Sequence, residues 1–284
     1  MATKIDIAAI VQVPIGTILE KSQVQQILAS APFLPIPQAL NLRTLSSPSL
    51  KPNIIFRSGI TTIFDLRNRK EREEHPSPQI QGVNTIWIPS GEDGPVGIGA
   101  AHSNPKQVLQ GISPATFVEN GGVDGYLQMY EYFLNTHKAA FKAVFEKLKE
   151  PQGGVLFHCT AGKDRTGILA ALILALVDTP PEMISHDYAL TRIGVEPMRD
   201  HLLGVILQQM AEQGIDKPFE EPGFSEICGV RGPNILAVLK WMDSKWAYDS
   251  ETQILYPGVH GYLAQELGFL DEDLEKIKKS LASR

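Results

Sequence analysis

Cys159 and Arg165 stand six positions apart in the segment His158-Cys159-Thr160-Ala161-Gly162-Lys163-Asp164-Arg165-Thr166-Gly167. A thiolate is a nucleophile, and a guanidinium fork binds two oxygens of an oxyanion at once. The segment follows the apolar run Gly154-Val155-Leu156-Phe157 and precedes the apolar stretch from Ile168 to Val177. A buried strand is therefore expected to feed a tight loop that opens into a buried helix. Unsatisfied amides at a helix start, and the dipole there, favour negative charge. They predict a phosphate above the sulfur and favour thiolate over thiol. The expected phosphate-binding set is Thr160, Ala161, Gly162, Lys163, Asp164 and Arg165. His158 is expected to support the loop and Thr166 to bring a hydroxyl near the sulfur. The competing reading of Cys159 is an inert core cysteine, which is how Cys228 reads, with Asn234 rather than arginine six residues beyond it.

With this loop the chain resembles the Cys-x5-Arg phosphatases, the tyrosine and dual-specificity superfamily. The wording Gly162-Lys163-Asp164-Arg165-Thr166 is similar to a microbial triple-specificity branch whose members act on phosphoproteins and phosphoinositides. Ile55-Phe56-Arg57-Ser58-Gly59, Phe64-Asp65-Leu66-Arg67, Asp187-Tyr188-Ala189-Leu190-Thr191 and Tyr262-Leu263 through Leu267-Gly268 resemble recurring segments of that branch, so the likeness spans residues 40 to 284. It implies hydrolysis of a phosphate monoester through a phosphocysteine on Cys159, with Arg165 stabilising the transferring phosphoryl and no cofactor. It also implies an aspartic acid that protonates the leaving group. Asp93, on a loop directly after a strand, is the first choice. Asp164 is the second, its other reading being a carboxylate that stabilises the loop, and Asp124 is a distant third in a helix-capping position. Lys163 reads either as a site for a second phosphate on an inositol ring or as a solvated loop lysine. The expected partner is a phosphorylated protein, phosphotyrosine before others. A phosphoinositide is the alternative substrate, and a phosphate-binding pseudophosphatase is a more remote reading.

The elements that must position these groups read as one α/β domain, cysteine-phosphatase-like, with a central mixed, mostly parallel sheet flanked by helices. Short apolar runs at 40 to 45, 53 to 56, 61 to 66 and 83 to 88 predict strands, with 154 to 158 at the sheet centre. Helices are expected at 20 to 30, within 125 to 150, and at 167 to 177, 181 to 192, 197 to 213, 233 to 247, 258 to 268 and 272 to 282. Residues 1 to 39 read as an extension packing on the domain of 40 to 284, and the Gly- and Pro-rich stretch 89 to 124 as a lid over the loop. The charge run from Arg67 to Glu74 reads as a solvated helix or loop, with a substrate-facing basic patch as its rival.

A net charge of -6 draws the chain toward neither nucleic acid nor an anionic membrane, so attraction for phosphate has to be local. Two cysteines make no disulfide framework and, with seven scattered histidines, no metal-ligand cluster. No apolar stretch is long enough to span a bilayer. A cytoplasmic setting follows as the default for a thiolate enzyme, while the oligomeric state is not written in the sequence.

Overall fold

The computed structural model describes residues 5–36, 39–51, 59–91, 114–212, 214–247 and 254–282. Three strands, β1 (Ile60–Asp65), β2 (Asn84–Trp87) and β3 (Gly154–His158), form one sheet in the order β2-β1-β3, with both pairings parallel. β1 opens with Ile60, Thr61, Thr62 and Ile63, whose branched Cβ atoms suit extended backbone. The register brings the strand ends level, because Asp65 lies opposite both Trp87 and His158. The chain therefore leaves β1 and β3 side by side at the carboxyl end of the sheet, where open parallel sheets bind their ligands.

The α/β architecture expected from the sequence is present, with two corrections to its strands. Among the described strands β1 rather than β3 is in the middle. Residues 40–45 form no strand, and Arg43 makes only an isolated antiparallel bridge with Phe33. Asn41 has a left-handed φ of 53°, and the buried Asn41 and Arg43 side chains bond to one another and to helix residues far along the chain. The expected strand at 53–56 lies outside the described residues.

Helices pack around the sheet. The helices expected within 125 to 150 are α4 (Val123–Thr136) and α5 (Lys138–Lys149), which meet at His137. The loop after β3 enters α6 (Arg165–Leu176), in which every residue from Gly167 to Leu176 is buried. A helix apolar on all sides belongs in the middle of a core. α6 packs against α4, β3 and α12 (Pro257–Gln265), and its apolar residues share one core with Phe141 and Phe145 of α5, Ile235 and Met242 of α11 (Gly232–Trp246), and Val259 and Leu263 of α12. Truncating one such Leu or Ile to Ala costs about 2–5 kcal/mol, so the helix that follows the loop is anchored in the core. α13 (Asp271–Leu281) closes the chain and adds Leu274, Ile277 and Leu281 to the same core.

Between α6 and α11 run α7 (Pro181–Ala189), α8 (Thr191–Gly194), α9 (Arg199–Glu212) and α10 (Phe224–Cys228). The N-terminal helices α1 (Ile7–Ile10) and α2 (Lys21–Leu28) belong to a second apolar cluster, in which Val11, Val24, Ile27 and Phe33 meet Ala189, Leu190 and Ile193. Arg192 is 1% exposed and donates to the carbonyls of Val13, Pro14 and Thr17, which ties this segment to α8. Among the described residues no helix is long and apolar enough to cross a membrane.

Candidate active site

Two adjacent strands deliver the two halves of the site. β3 runs into Cys159 and the loop that ends at Arg165, the first residue of α6. β1 runs through Leu66, Arg67 and Asn68 into α3 (Arg69–Glu74). This short helix starts with a capping box: the Asn68 side chain accepts from the Glu71 amide at 2.9 Å, and the Glu71 side chain accepts from the Asn68 amide at 2.9 Å. The box turns the Glu71 carboxylate toward β3. There Oε2 accepts from Arg165 Nη1 at 2.6 Å, Oε1 accepts from Arg165 Nη2 at 2.7 Å, and Thr160 Oγ1 also donates to Oε1. Arg165 Nη1 gives its other hydrogen to the Leu66 carbonyl at 3.3 Å.

This end-on grip has a chemical consequence. It occupies both hydrogens of Nη1 and one of Nη2, and leaves Nε–H and the outer Nη2 hydrogen without a partner among the described residues. Those two hydrogens share one edge of the guanidinium, the geometry that binds an oxyanion in bidentate fashion. Burial works against the charge on Arg165, but the bonds to Glu71 outweigh it and hold the guanidinium protonated. Burial would likewise raise the Glu71 carboxyl, yet the bonds from Arg165 and Thr160 pull it down to about 2.

The charge run of 67–74 is thus neither wholly solvated nor a basic patch. Lys70 and Glu74 pair on the exposed face. Arg67 and Arg72 turn inward onto Asp65, whose fully buried carboxylate accepts from Arg67 Nε at 3.0 Å, Arg67 Nη2 at 2.9 Å, Arg72 Nε at 3.1 Å and Ser77 Oγ at 2.9 Å. Burial opposes this charge, but those donors and neighbouring His158 bring the Asp65 carboxyl down to about 2. Arg72 also stacks 4.5 Å from the centre of the Trp87 ring, and Trp87 Nε1 donates to the Arg67 carbonyl at 2.8 Å.

Cys159 is 7% exposed, at the floor of the loop. His158 Nδ1 lies 3.1 Å from the Cys159 carbonyl oxygen, which only accepts, so the ring carries its hydrogen on Nδ1 and supports the loop backbone. Burial pushes the His158 ring toward its neutral form, against the pull of Asp65, whose Oδ1 lies 3.9 Å from Nε2. Thr166 Oγ1 is buried with no hydrogen-bond partner among the described residues.

Lys163 and Asp164 face away from this arrangement. Lys163 Nζ pairs with Asp164 Oδ1 at 2.8 Å, approaches the Ile227 carbonyl at 3.3 Å and the Tyr126 hydroxyl at 3.5 Å, and lies 5.1 Å from the centre of the Tyr126 ring. Burial disfavours its charge, but Asp164 and the surrounding tyrosines raise its affinity for the proton well above the usual lysine value. The Tyr130 hydroxyl donates to Asp164 Oδ1 at 3.3 Å and lies 2.6 Å from the Tyr188 hydroxyl. Lys163 is therefore not a solvated loop lysine: its ammonium is mostly buried among Asp164, Tyr126 and the Ile227 carbonyl. Asp164, bonded to Lys163 and to Tyr130 of α4, makes the contacts expected of a carboxylate that stabilises the loop. Gly167 is required beside this network, since a Cβ there would come within 2.9 Å of the Tyr188 ring.

Asp93 and most of the expected lid lie outside the described residues. Asp124 accepts from Asn120 at 3.1 Å in the first turn of α4. Cys228 is buried on α10, and burial pushes its thiol up to about 11. The sequence reading missed Glu71, although Asn68 three positions before it is a visible capping signal that orients the carboxylate.

A family model described as the tyrosine phosphatase family matches residues 41–283. The chain belongs to the tyrosine phosphatase family. Among its relatives, a tyrosine-protein phosphatase of Nostoc commune is 33% identical over 166 residues, 56% of this chain and 49% of that protein. The triple specificity protein phosphatase PtpB of Mycobacterium tuberculosis is 25% identical over 245 residues, 74% of this chain and 89% of that protein. A putative tyrosine-protein phosphatase of Cupriavidus necator is 41% identical over 64 residues, 22% of each chain. The chain thus spans about half the length of the Nostoc relative and most of the Mycobacterium one. In this member of the tyrosine phosphatase family, the matched region contains both strand ends, α3 and the Cys159–Arg165 loop.

Proposed function

We propose that the protein hydrolyses phosphate monoesters, protein phosphotyrosine before others, through a phosphocysteine on Cys159. The observation that carries this reading is the pre-set guanidinium of Arg165: Glu71 fixes one edge and leaves the other for two phosphate oxygens, in the loop that begins with the cysteine. In the first step the Cys159 thiolate attacks phosphorus, the P–S bond forms, and the bond from phosphorus to the tyrosyl oxygen breaks. The leaving oxygen takes a proton from an aspartic acid, which we assign to Asp93 because Asp164 is engaged by Lys163 and Tyr130. In the second step water attacks phosphorus, its proton returns to the aspartate, the P–S bond breaks, and inorganic phosphate leaves with the thiolate restored. Arg165 binds the dianion and stabilises the planar phosphoryl in both transition states.

No step in this scheme calls on a metal ion, so chelators are expected to leave the rate unchanged. The phosphoinositide alternative would draw on Lys163, whose ammonium is engaged by Asp164, Tyr126 and the Ile227 carbonyl, and this supports the phosphotyrosine reading over it. The deciding experiment measures phosphate release from aryl phosphate and phosphotyrosine peptide by the wild type and Cys159→Ser, with and without vanadate. The wild type is expected to turn over and to be inhibited by vanadate, and Cys159→Ser to be inactive. Full activity of the serine variant would overturn the mechanism. A panel adding short-chain phosphoinositides ranks the two substrate classes.

A further inference from the structure

An amide cradle imposes a requirement on the backbone that the residues facing the anion cannot meet. If successive loop N–H groups point inward, the carbonyls of the same peptides point outward, and each needs a donor of its own. The Cys159 carbonyl has His158 Nδ1. Further along the loop the carbonyls of Ala161 and Gly162 share one side chain: Asn41 Nδ2 lies 3.3 Å from the Ala161 oxygen and 3.3 Å from the Gly162 oxygen, with Thr191 Oγ1 at 3.4 Å.

The orientation of this amide is fixed by chemistry. Arg43 Nη1 lies 2.6 Å from the other terminal atom of Asn41, and because arginine only donates, that atom is the oxygen and the nitrogen faces the loop. Arg43 is in turn held by Asp187 of α7, with Nε at 3.1 Å from Oδ1 and Nη2 at 3.2 Å from Oδ2, both side chains being at least nine-tenths buried. The packing leaves no slack. Gly162 has φ of +69°, and a Cβ on it would approach Asn41 Nδ2 to 2.9 Å; a Cβ on Gly194 would overlap Asn41 Oδ1 at 1.9 Å. Asn41 itself has φ of 53°, a conformation that asparagine tolerates better than most residues.

We infer that Asn41 is a positioning residue for the phosphate site: its amide holds the Ala161 and Gly162 carbonyls outward, and so sets the inward face of the loop, with Arg43 and Asp187 as its buttress. This rests on the phosphatase reading above. It also gives a role to Asp187 and Thr191, which the sequence singled out without assigning one. Asn41→Asp is the discriminating change. The carboxylate keeps the size and the left-handed backbone and strengthens the contact with Arg43, but it turns an acceptor instead of a donor onto two carbonyls. Asn41→Gly removes the side chain at a backbone angle that glycine adopts freely.

The test follows alkylation of Cys159 by iodoacetamide in the full chain, read at the level of the peptide by mass spectrometry, while inorganic phosphate is titrated as a protecting ligand. It needs no turnover. Wild type is expected to be protected by phosphate, and both variants to need about tenfold more of it or beyond, the scale of one lost hydrogen bond, with Asn41→Asp the worse of the two. Melting temperatures near that of wild type accompany this result, because Arg43 and Asp187 stay paired. Equal protection midpoints in wild type and both folded variants would overturn the proposal, and so would loss of folding in both, which would make Asn41 a residue of the fold alone. If phosphate fails to protect the wild type at all, the phosphate reading of the loop falls, and the positioning role falls with it.

Discussion

The loop carries two cations two positions apart, each paired with a carboxylate, and their situations are opposite. Arg165 is gripped by Glu71 through both Nη atoms and keeps one edge for an anion. Lys163 is gripped by Asp164 and enclosed by Tyr126 and the Ile227 carbonyl. The difference lies in the shape of the two cations. A guanidinium has five donors on two usable edges, so a partner can orient it and leave it functional. An ammonium is a point charge, and once a carboxylate and aromatic faces surround it nothing directional is left to offer. Glu71 therefore aims a cation at the site, while Asp164 removes one from it.

Exchanging the cation at the aimed position puts this comparison under the greatest strain. Arg165→Lys keeps the charge but loses the fork, and kcat on aryl phosphates is expected to fall by about a thousandfold or more, since positioned donors to a transferring phosphoryl contribute on that scale. Retention of more than a tenth of the activity would show that charge alone suffices and that the contrast with Lys163 has been drawn in the wrong terms.

The two carboxylates on either side of the question of the acid come next. Asp93→Asn is expected to lower kcat by about a hundredfold on a phosphate ester with a poor leaving group and to spare one with a good leaving group, the signature of a lost general acid. Asp164→Asn should lower both substrates alike and lower the melting temperature, because it leaves Lys163 buried without its counter-charge. A leaving-group dependence in Asp164→Asn would reverse the assignment.

How much of this was legible in the sequence follows from the range of the interactions. The cysteine, the arginine and the strand-loop-helix around them are encoded within consecutive residues, so composition and order suffice to read their arrangement. Glu71 was half legible: its capping box is local, but its meeting with Arg165 depends on β1 and β3 being parallel neighbours with Asp65 level with His158. The fate of Lys163 was not legible, since it is decided by Tyr126, Tyr130 and Tyr188 arriving on two helices from elsewhere in the chain. The same holds for residues 40–45, whose apolar look suggested a strand, while the buried Arg43–Asp187 pair across the chain places them beside the loop instead.

Removing the enclosed cation sharpens the comparison at a smaller scale. Lys163→Met preserves most of the side-chain volume and deletes the charge, leaving Asp164 with Tyr130 as its partner. Stability is expected to fall by about 1–3 kcal/mol, the cost of unpairing a mostly buried carboxylate, as read from urea unfolding midpoints. The ratio of phosphoinositide to phosphotyrosine turnover should stay where it was. A selective drop in phosphoinositide turnover would return the ammonium to the substrate side of the loop.

The smallest expected effect concerns acid. Glu71 and Asp65 are both held down to about 2 in the folded protein, below the ordinary values of 4.5 and 3.8. A lowered carboxyl binds fewer protons folded than unfolded, so its contribution is complete above the ordinary value and is lost as pH falls toward 2. Urea midpoints should therefore decline over the window from about 4.5 to about 2, and Glu71→Gln should flatten part of that decline, because its amide has no proton to take up there. Above that window Glu71→Gln should be less stable than wild type by a pH-independent margin, since a neutral amide pairs with only one guanidinium nitrogen as an acceptor. An unchanged acid slope in Glu71→Gln would mean that Asp65 alone carries the linkage, and that the grip on Arg165 orients the guanidinium without contributing to stability.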